Sequence, residues 1–323
     1  MMYRAAKSAT LALSAVFILS ATAQAAEIRY GLWAKEGEAQ YEGALEFKRI
    51  VEEGSDHAVT IYPGNQLGTP REMIAQLALG TTQVMSSGDP GIKEIEYLAL
   101  PYLMKGMPNY EAVINSEIGD AWNEKLINDR RIRILGFMPR SPRQISANTV
   151  INSMADLKGL KLRAPERDYY VESLSALGAN PTPMAFKEVY TALQTGVVDG
   201  QENPIETIYA QKFHEVQDGV AMVDYIIKPA YVMISDAFWS TLSEDEQALL
   251  QKANDASTAK IMELLPEQQK KYLAEMEAAG VTVTYPEKAE FIAATQSVRD
   301  SLGTEVWGED TYNTIVEMGQ KDL

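Results

Sequence analysis

An arginine, an aromatic and an amide lie close together between Asp156 and Pro204, in the run DLKGLKLRAPERDYYVESLSALGANPTPMAFKEVYTALQTGVVDGQENP. A guanidinium grips a carboxylate through two parallel hydrogen bonds, so Arg163 is the first candidate for holding an organic anion. Arg143 is a second donor, although Arg140 and Arg143 in a proline-containing segment equally fit solvated surface. Asn203, before a proline, offers both a donor and an acceptor. Beside it, Glu202 fits an acceptor for an arginine. Phe186 would supply an apolar wall, and Glu166 a partner for hydroxyl groups. Catalytic readings find little to work with. His57 and His214 are the only histidines, there is no cysteine, and no nucleophile-elbow or glycine-lysine phosphate motif occurs. His214-Glu215 lacks the second histidine of a helical zinc site, which leaves a periplasmic carboxylate-pair hydrolase as the residual enzymatic alternative.

The elements that must position these residues are readable from spacing. Leu160 to Arg163 is a short strand stopped by Ala164-Pro165, which puts Arg163 at a strand's C-terminal end. Val171 to Leu177 is helical up to Gly178, Pro181-Thr182-Pro183 is extended, and Lys187 to Thr195 is helical up to Gly196. Val197-Val198 reads as a second strand, with Asp199-Gly200 turning into Gln201-Glu202-Asn203-Pro204. In open α/β sheets, ligands bind beyond the carboxyl ends of strands.

The quoted KLRAP, the long LGANPTPMAFKEVYTALQTGVVDGQENP run and the preceding SMADLKG resemble the substrate-binding proteins of tripartite ATP-independent periplasmic (TRAP) transporters, the DctP-like family. YPGNQLGTPRE (Tyr62 to Glu72) and LALPYLM (Leu98 to Met104) extend the resemblance over nearly the whole mature chain. It implies an α/β two-lobe periplasmic binding protein fold, with a ligand cleft between the lobes and a long helix bridging them. It also implies that the residue at Arg163 pairs with a substrate carboxylate and that an arginine stands at Arg143. The expected partners are a small organic anion and the small and large membrane subunits of an ion-gradient-driven permease, with no cofactor or metal. Trp33, Pro70, Gly88 and Glu166 depart from the family's sialic-acid binders, which have asparagine, aspartate, glutamate and asparagine there. A uronate or another hydroxylated carboxylate is therefore favoured, with a C4-dicarboxylate or small sulfonate as alternative.

Residues 1–25 read as a cleaved signal peptide. Arg4 and Lys7 precede an apolar Leu11-to-Ile18 core, and Ala23-Gln24-Ala25 is a small-x-small cleavage site. The remaining 300 or so residues suit two α/β lobes. Lobe I is expected over 26–140 plus about 229–268, and lobe II over 141–228 plus about 269–323, the chain crossing at Pro139-Arg140-Ser141-Pro142. With 45 acidic against 29 basic residues and a formal charge of −16, no basic face is available for nucleic acid. A monomer exported to the periplasm is expected.

In lobe I, Glu27 to Trp33 and Val59 to Tyr62 read as strands flanking a helix from Ala39 to Glu53, a βαβ opening. Met73 to Leu79 is helical and Thr82 to Met85 a third strand, bringing Trp33, Arg71 and Ser87 to one edge of the lobe. Tyr110 to Leu126 reads as a helix, Arg131 to Met138 as a strand, Tyr209 to Val216 as a helix and Tyr225 to Ser235 as an apolar strand returning towards lobe I. Ser243 and Glu246 form a capping box opening a helical pattern that runs to about Ala279, with Pro266 expected to kink or interrupt it.

Overall fold

A computed structural model describes residues 25–322; the signal-peptide reading lies almost wholly outside this range. The chain opens with strand β1 (Glu27–Gly31), helix α1 (Ala39–Gly54), strand β2 (Ala58–Tyr62), helix α2 (Pro70–Leu79) and strand β3 (Val84–Ser87). β1 pairs in parallel with both β2 and β3, the expected result of helical crossovers between strands. Helix α2 starts at a capping box, Thr69 with Glu72, with Pro70 in its first turn.

After α3 (Lys93–Glu96), the expected single helix is two, α4 (Met107–Ile114) and α5 (Glu117–Arg130). The chain turns at Asn115-Ser116 so tightly that a Cβ on Gly119 would lie 1.9 Å from the Ile114 carbonyl oxygen. Only glycine fits there. Strand β4 (Ile132–Met138) then leads out of the first sheet through Pro139-Arg140-Ser141-Pro142.

The second sheet is built from β5 (Arg143–Ala147), β6 (Lys161–Ala164), helix α6 (Asp168–Ala176), β7 (Asn180–Pro183), helix α7 (Val189–Gln194), β8 (Gly200–Pro204), helix α8 (Ile205–Ala210) and β9 (Gly219–Ile226). Here the expected strand at Val197-Val198 is displaced. Those residues belong to the turn after α7, and the strand is the polar stretch Gly200–Pro204, buried along its whole length. Its polar side chains are satisfied in a chain: Asn203 donates to Gln201 (2.6 Å), Gln201 to Ser146 (2.9 Å) and Ser146 to Gln217 (3.2 Å). Gly200 lets β8 approach β5, since a Cβ would sit 2.3 Å from the Ser146 carbonyl. The helix expected from Tyr209 to Val216 is likewise split, into α8 and a short 3₁₀ turn at Phe213–Val216.

The apolar run expected as one strand from Tyr225 to Ser235 serves both sheets. β9 ends at Ile226, and β10 (Ala230–Ser235) runs antiparallel between β3 and β4 of the first sheet. Ile227-Lys228-Pro229 thus forms a second crossing. Arg143 pairs with Ile226 and Met138 with Ala230, so the two crossings run side by side. Sheet orders are β2-β1-β3-β10-β4 and β11-β9-β5-β8-β6-β7, where β11 is Thr282–Thr284.

After the short α9 (Asp236–Trp239), helix α10 (Glu244–Ala278) starts at the expected Ser243–Glu246 capping box. It passes Pro266 without interruption. An internal proline costs a helix about 3 kcal/mol. Here the flanking turns are anchored on both sides: Gln268 bonds Ala39 N (3.0 Å) and Gly37 O (2.9 Å), and Tyr272 stacks on Tyr209 of α8 at 4.1 Å. The long helix therefore binds both lobes together. The chain closes with α11 (Lys288–Trp307) and α12 (Glu309–Gln320), packed against α6 and α4 respectively.

Candidate functional site

Arg143 and Arg163 sit on two strands of the second sheet, at the end facing the crossings. Arg143, 5% exposed, is fully engaged. Its Nε and Nη2 grip the Glu202 carboxylate (Nη2 to Oε1 2.6 Å), Nη2 also meets the Glu202 carbonyl (2.9 Å) and Asn203 Oδ1 (3.1 Å), and its guanidinium lies 5.0 Å from the Tyr170 ring centroid. Tyr225 donates a further bond to Glu202, at 2.6 Å. Burial acts to depress the Arg143 pKa, but Glu202 and the neighbouring phenols outweigh it, so the pKa is raised well above its ordinary value. Arg143 and Glu202 thus form a neutral pair that positions Asn203.

Arg163 is different. It is 3% exposed, donates Nε and Nη2 to the Met184 carbonyl (3.1 and 2.8 Å), and faces the Phe186 ring at 5.8 Å. Among the described residues no carboxylate lies within ion-pair distance of it. Burial lowers its pKa, Glu202 opposing from a distance and Arg143 adding repulsion. The protein therefore buries a guanidinium held in orientation by one carbonyl and lacking an anion. An unpaired buried charge is costly, and a bound carboxylate would remove that cost.

The other expected residues fall as follows. Phe186 is 44% exposed and its ring edge meets Phe213. Trp33 reaches the first crossing, where the Arg140 guanidinium lies 5.4 Å over its ring. Ser87 is buried at the end of β3, its hydroxyl accepting from Asp89 N at 3.1 Å. Arg71 is exposed in the first turn of α2, with no hydrogen bond or ion pair to a described residue. Glu166 is exposed and lines an outer groove of about 360 Å³ with Arg167, Asp168, Val171, Glu172 and Pro183. Histidines play no part here. His57 is buried against Glu246 (3.2 Å), and His214 stacks on Tyr209. No group of three potential metal ligands occurs among the described residues.

Several residues that reasoning from sequence passed over belong to this region. Arg140 is partly buried rather than solvated: it donates to Thr207 Oγ1 (2.8 Å), its Nε lies 3.9 Å from Glu206 and has no hydrogen-bond partner. Burial lowers the Arg140 pKa and raises that of Glu206, each partly countered by the other. Tyr169 and Tyr170 present their rings from the first turn of α6, six and seven positions after Arg163. Their place beside KLRAP was the available signal.

Arg167, just ahead of α6, reaches the first sheet's loops, bonding Asp89 (3.1 Å) and Glu96 (2.7 Å), while Tyr97 donates to Asp168 (3.0 Å). These partly exposed pairs clasp the two halves of the molecule. Removing the two Arg167 pairs with Arg167→Ala should cost about 0.5 to 1 kcal/mol of the clasped state. In stopped-flow, release of the small organic anion expected from the sequence should speed up by about two- to fivefold, the difference from wild type shrinking at high salt. Identical release rates would refute the clasp.

Comparison with known proteins accounts for this architecture. The model of bacterial extracellular solute-binding protein family 7, DctP, matches residues 30–305. The chain belongs to that family. The sialic acid-binding periplasmic protein SiaP of Vibrio cholerae is 34% identical over 317 residues, covering 94% of this chain and 97% of SiaP. The C4-dicarboxylate-binding periplasmic protein DctP of Rhodobacter capsulatus is 31% identical, covering 92% of each. A TRAP periplasmic solute-binding protein from Roseobacter denitrificans, solved with bound L-galactonate, superimposes with a TM-score of 0.79 at 31% identity, covering 91% of this chain and 99% of that one. This family 7 chain thus shares the two-sheet, long-helix fold of TRAP binding proteins, whose members are binding proteins of transporters and not enzymes. Its relatives are periplasmic, and among the described residues no helix is long and apolar enough to cross a membrane.

Proposed function

We propose that this protein captures a small hydroxylated carboxylate, a uronate or aldonate, in the cleft between its two lobes and delivers it to a TRAP permease. The observation that carries this reading is the buried Arg163 guanidinium, oriented by the Met184 carbonyl and without an anionic partner. In this reading the solute carboxylate takes the free edge of Arg163. Asn203, held by Arg143 and Gln201, meets a hydroxyl, and Phe186 and Trp33 cover the carbon chain. Ser87, Arg71 and Glu166 line the approach. Relatives of similar fold are solved with L-galactonate and L-gulonate, which supports a sugar acid. The departures at Trp33, Pro70, Gly88 and Glu166 from the residues of the sialic-acid binders disfavour sialic acid despite the likeness to SiaP.

Lobe I comprises 26–140 with about 229–268, and lobe II 141–228 with about 269–323. Solute held on lobe II gains contacts to lobe I on closure, and that differential affinity shifts the population. The closed monomer, exported by its cleaved signal peptide, then engages the small and large membrane subunits. An ion gradient supplies the energy, and no nucleic acid takes part.

A thermal-shift screen of ligand-free, refolded protein against aldonates, uronates, C4-dicarboxylates, small sulfonates and sialic acid tests the assignment. A solute at a thousand times its Kd adds about 4 kcal/mol, several degrees in Tm. Stabilisation by sugar acids alone is expected; stabilisation only by sulfonates or sialic acid would overturn the ligand class.

A further inference from the structure

Three cationic side chains are buried around the two crossings, Arg143, Arg163 and Lys228, and Arg140 beside them is partly buried, its side chain 13% exposed. Among the described residues only two buried carboxylates face them, Glu202 against Arg143 and Glu206 near Arg140. At the rim, half-buried Glu38 accepts from the Lys35 backbone amide (3.2 Å). Two positive charges are left over, one on Arg163 and one on Lys228.

Lys228 belongs to the second crossing and is 7% exposed. Its Nζ donates to the Tyr169 hydroxyl at 2.8 Å and lies over the rings of Tyr169 (5.4 Å) and Tyr170 (5.9 Å). No ion pair to a described residue engages it. Of the carboxylates near those rings, Glu96 pairs with Arg167, and Asp168 is exposed to solvent and accepts from the Tyr97 hydroxyl. An ammonium has three donors and is strongly hydrated, so one phenol oxygen leaves it undersatisfied. Tyr170 joins it to the site already described, because the same ring carries Arg143 at 5.0 Å. The crossing thus presents a second buried cation beside the cleft, flanked by aromatic faces and unneutralised by the protein.

We propose that Lys228 is a second ligand anchor, and that the preferred solute is a polyhydroxylated dicarboxylate whose far acidic group meets Lys228 while the near one meets Arg163. This rests on the sugar-acid reading above and narrows it. Two leftover cations are balanced by a dianion; a monoacid leaves one of them buried without a counter-charge.

Galactarate and L-galactonate differ only in the terminal group, carboxylate against hydroxymethyl, and are the probes. Calorimetric titration of ligand-free wild-type protein should show galactarate binding at least about tenfold more tightly. Lys228→Met fills similar volume without charge, so the unliganded variant should melt no lower than wild type. It should weaken galactarate at least about tenfold while leaving L-galactonate within about threefold, whereas Lys228→Arg should keep the preference. Equal affinities in the wild type, binding of neither acid, or equal losses for both acids in Lys228→Met would overturn the proposal. Arg163→Ala separates the two readings. If it weakens both acids while Lys228→Met changes neither, the cleft assignment stands and the second anchor falls. If it weakens neither, the cleft assignment fails and takes the second anchor with it.

Discussion

Replacing Arg163 with alanine should cost about 2 to 5 kcal/mol of solute affinity while leaving the unliganded protein folded, the range for truncating one side of a buried charged pair. The asymmetry comes from what Arg163 touches. In the unliganded chain its partners are one carbonyl oxygen and the face of Phe186, and no carboxylate loses its counter-ion when the guanidinium goes. Losing the Met184 bonds is offset by removing an uncompensated charge from the interior, so unfolding free energy should change by less than about 1 kcal/mol. Arg163→Lys keeps the charge but forfeits two-point grip, and its affinity should fall between wild type and alanine. Titration calorimetry with urea unfolding reads both quantities. Unchanged affinity in Arg163→Ala would remove the basis of the functional assignment.

The opposite balance holds one strand away. Glu202→Gln should destabilise the unliganded protein by about 3 to 5 kcal/mol, because it strands the Arg143 charge in the interior. Glu202 accepts from Arg143 through both carboxylate oxygens and from Tyr225 besides, at 0% side-chain exposure. The paired replacement Arg143→Leu with Glu202→Leu should recover most of the loss, since the two changes are strongly coupled. Urea midpoints of the single and double variants decide it. A Glu202→Gln protein as stable as wild type would mean that the pair contributes nothing to folding. Two arginines of the same sheet, both nearly inaccessible, therefore differ in what they touch: one is paired with a carboxylate, and the other has no anionic partner among the described residues.

That division could not be read from the chain alone. Arg163 was legible because a short apolar strand ending at Ala164-Pro165 fixes where its side chain emerges, and the opening β1-α1-β2 unit was legible from periodicity. Arg143 carried no such mark, and its partner Glu202 lies on a strand whose residues are polar. β8 defeats pattern reading because its buried groups are satisfied by one another, a condition that exists only once β5 lies beside it. The run from Tyr225 to Ile234 is apolar on both sides of Lys228-Pro229, so nothing but that pair marks the change of sheet, and Lys228 looks like any surface lysine. Arg140 reads as surface for the same reason: its partial burial at the crossing comes from Trp33, Glu206 and Thr207, which are distant in sequence. The helix break at Asn115 and the unbroken passage through Pro266 are likewise settled by packing. In each case local preference yields to contacts made from elsewhere.

The edge of the second sheet has a consequence for life at high concentration. β7 is its last strand, and its backbone amides alternate between facing β6 and facing outward. Asn180 N and Met184 N bond inward to Leu160 and Ala164, so the positions turned outward are 181 and 183, and both are proline. The outer rim consequently offers no amide proton along that strand. A strand from a neighbouring molecule, arriving to extend the sheet, would find carbonyls but no donors, and the ladder that begins most β-aggregates would have no first rungs.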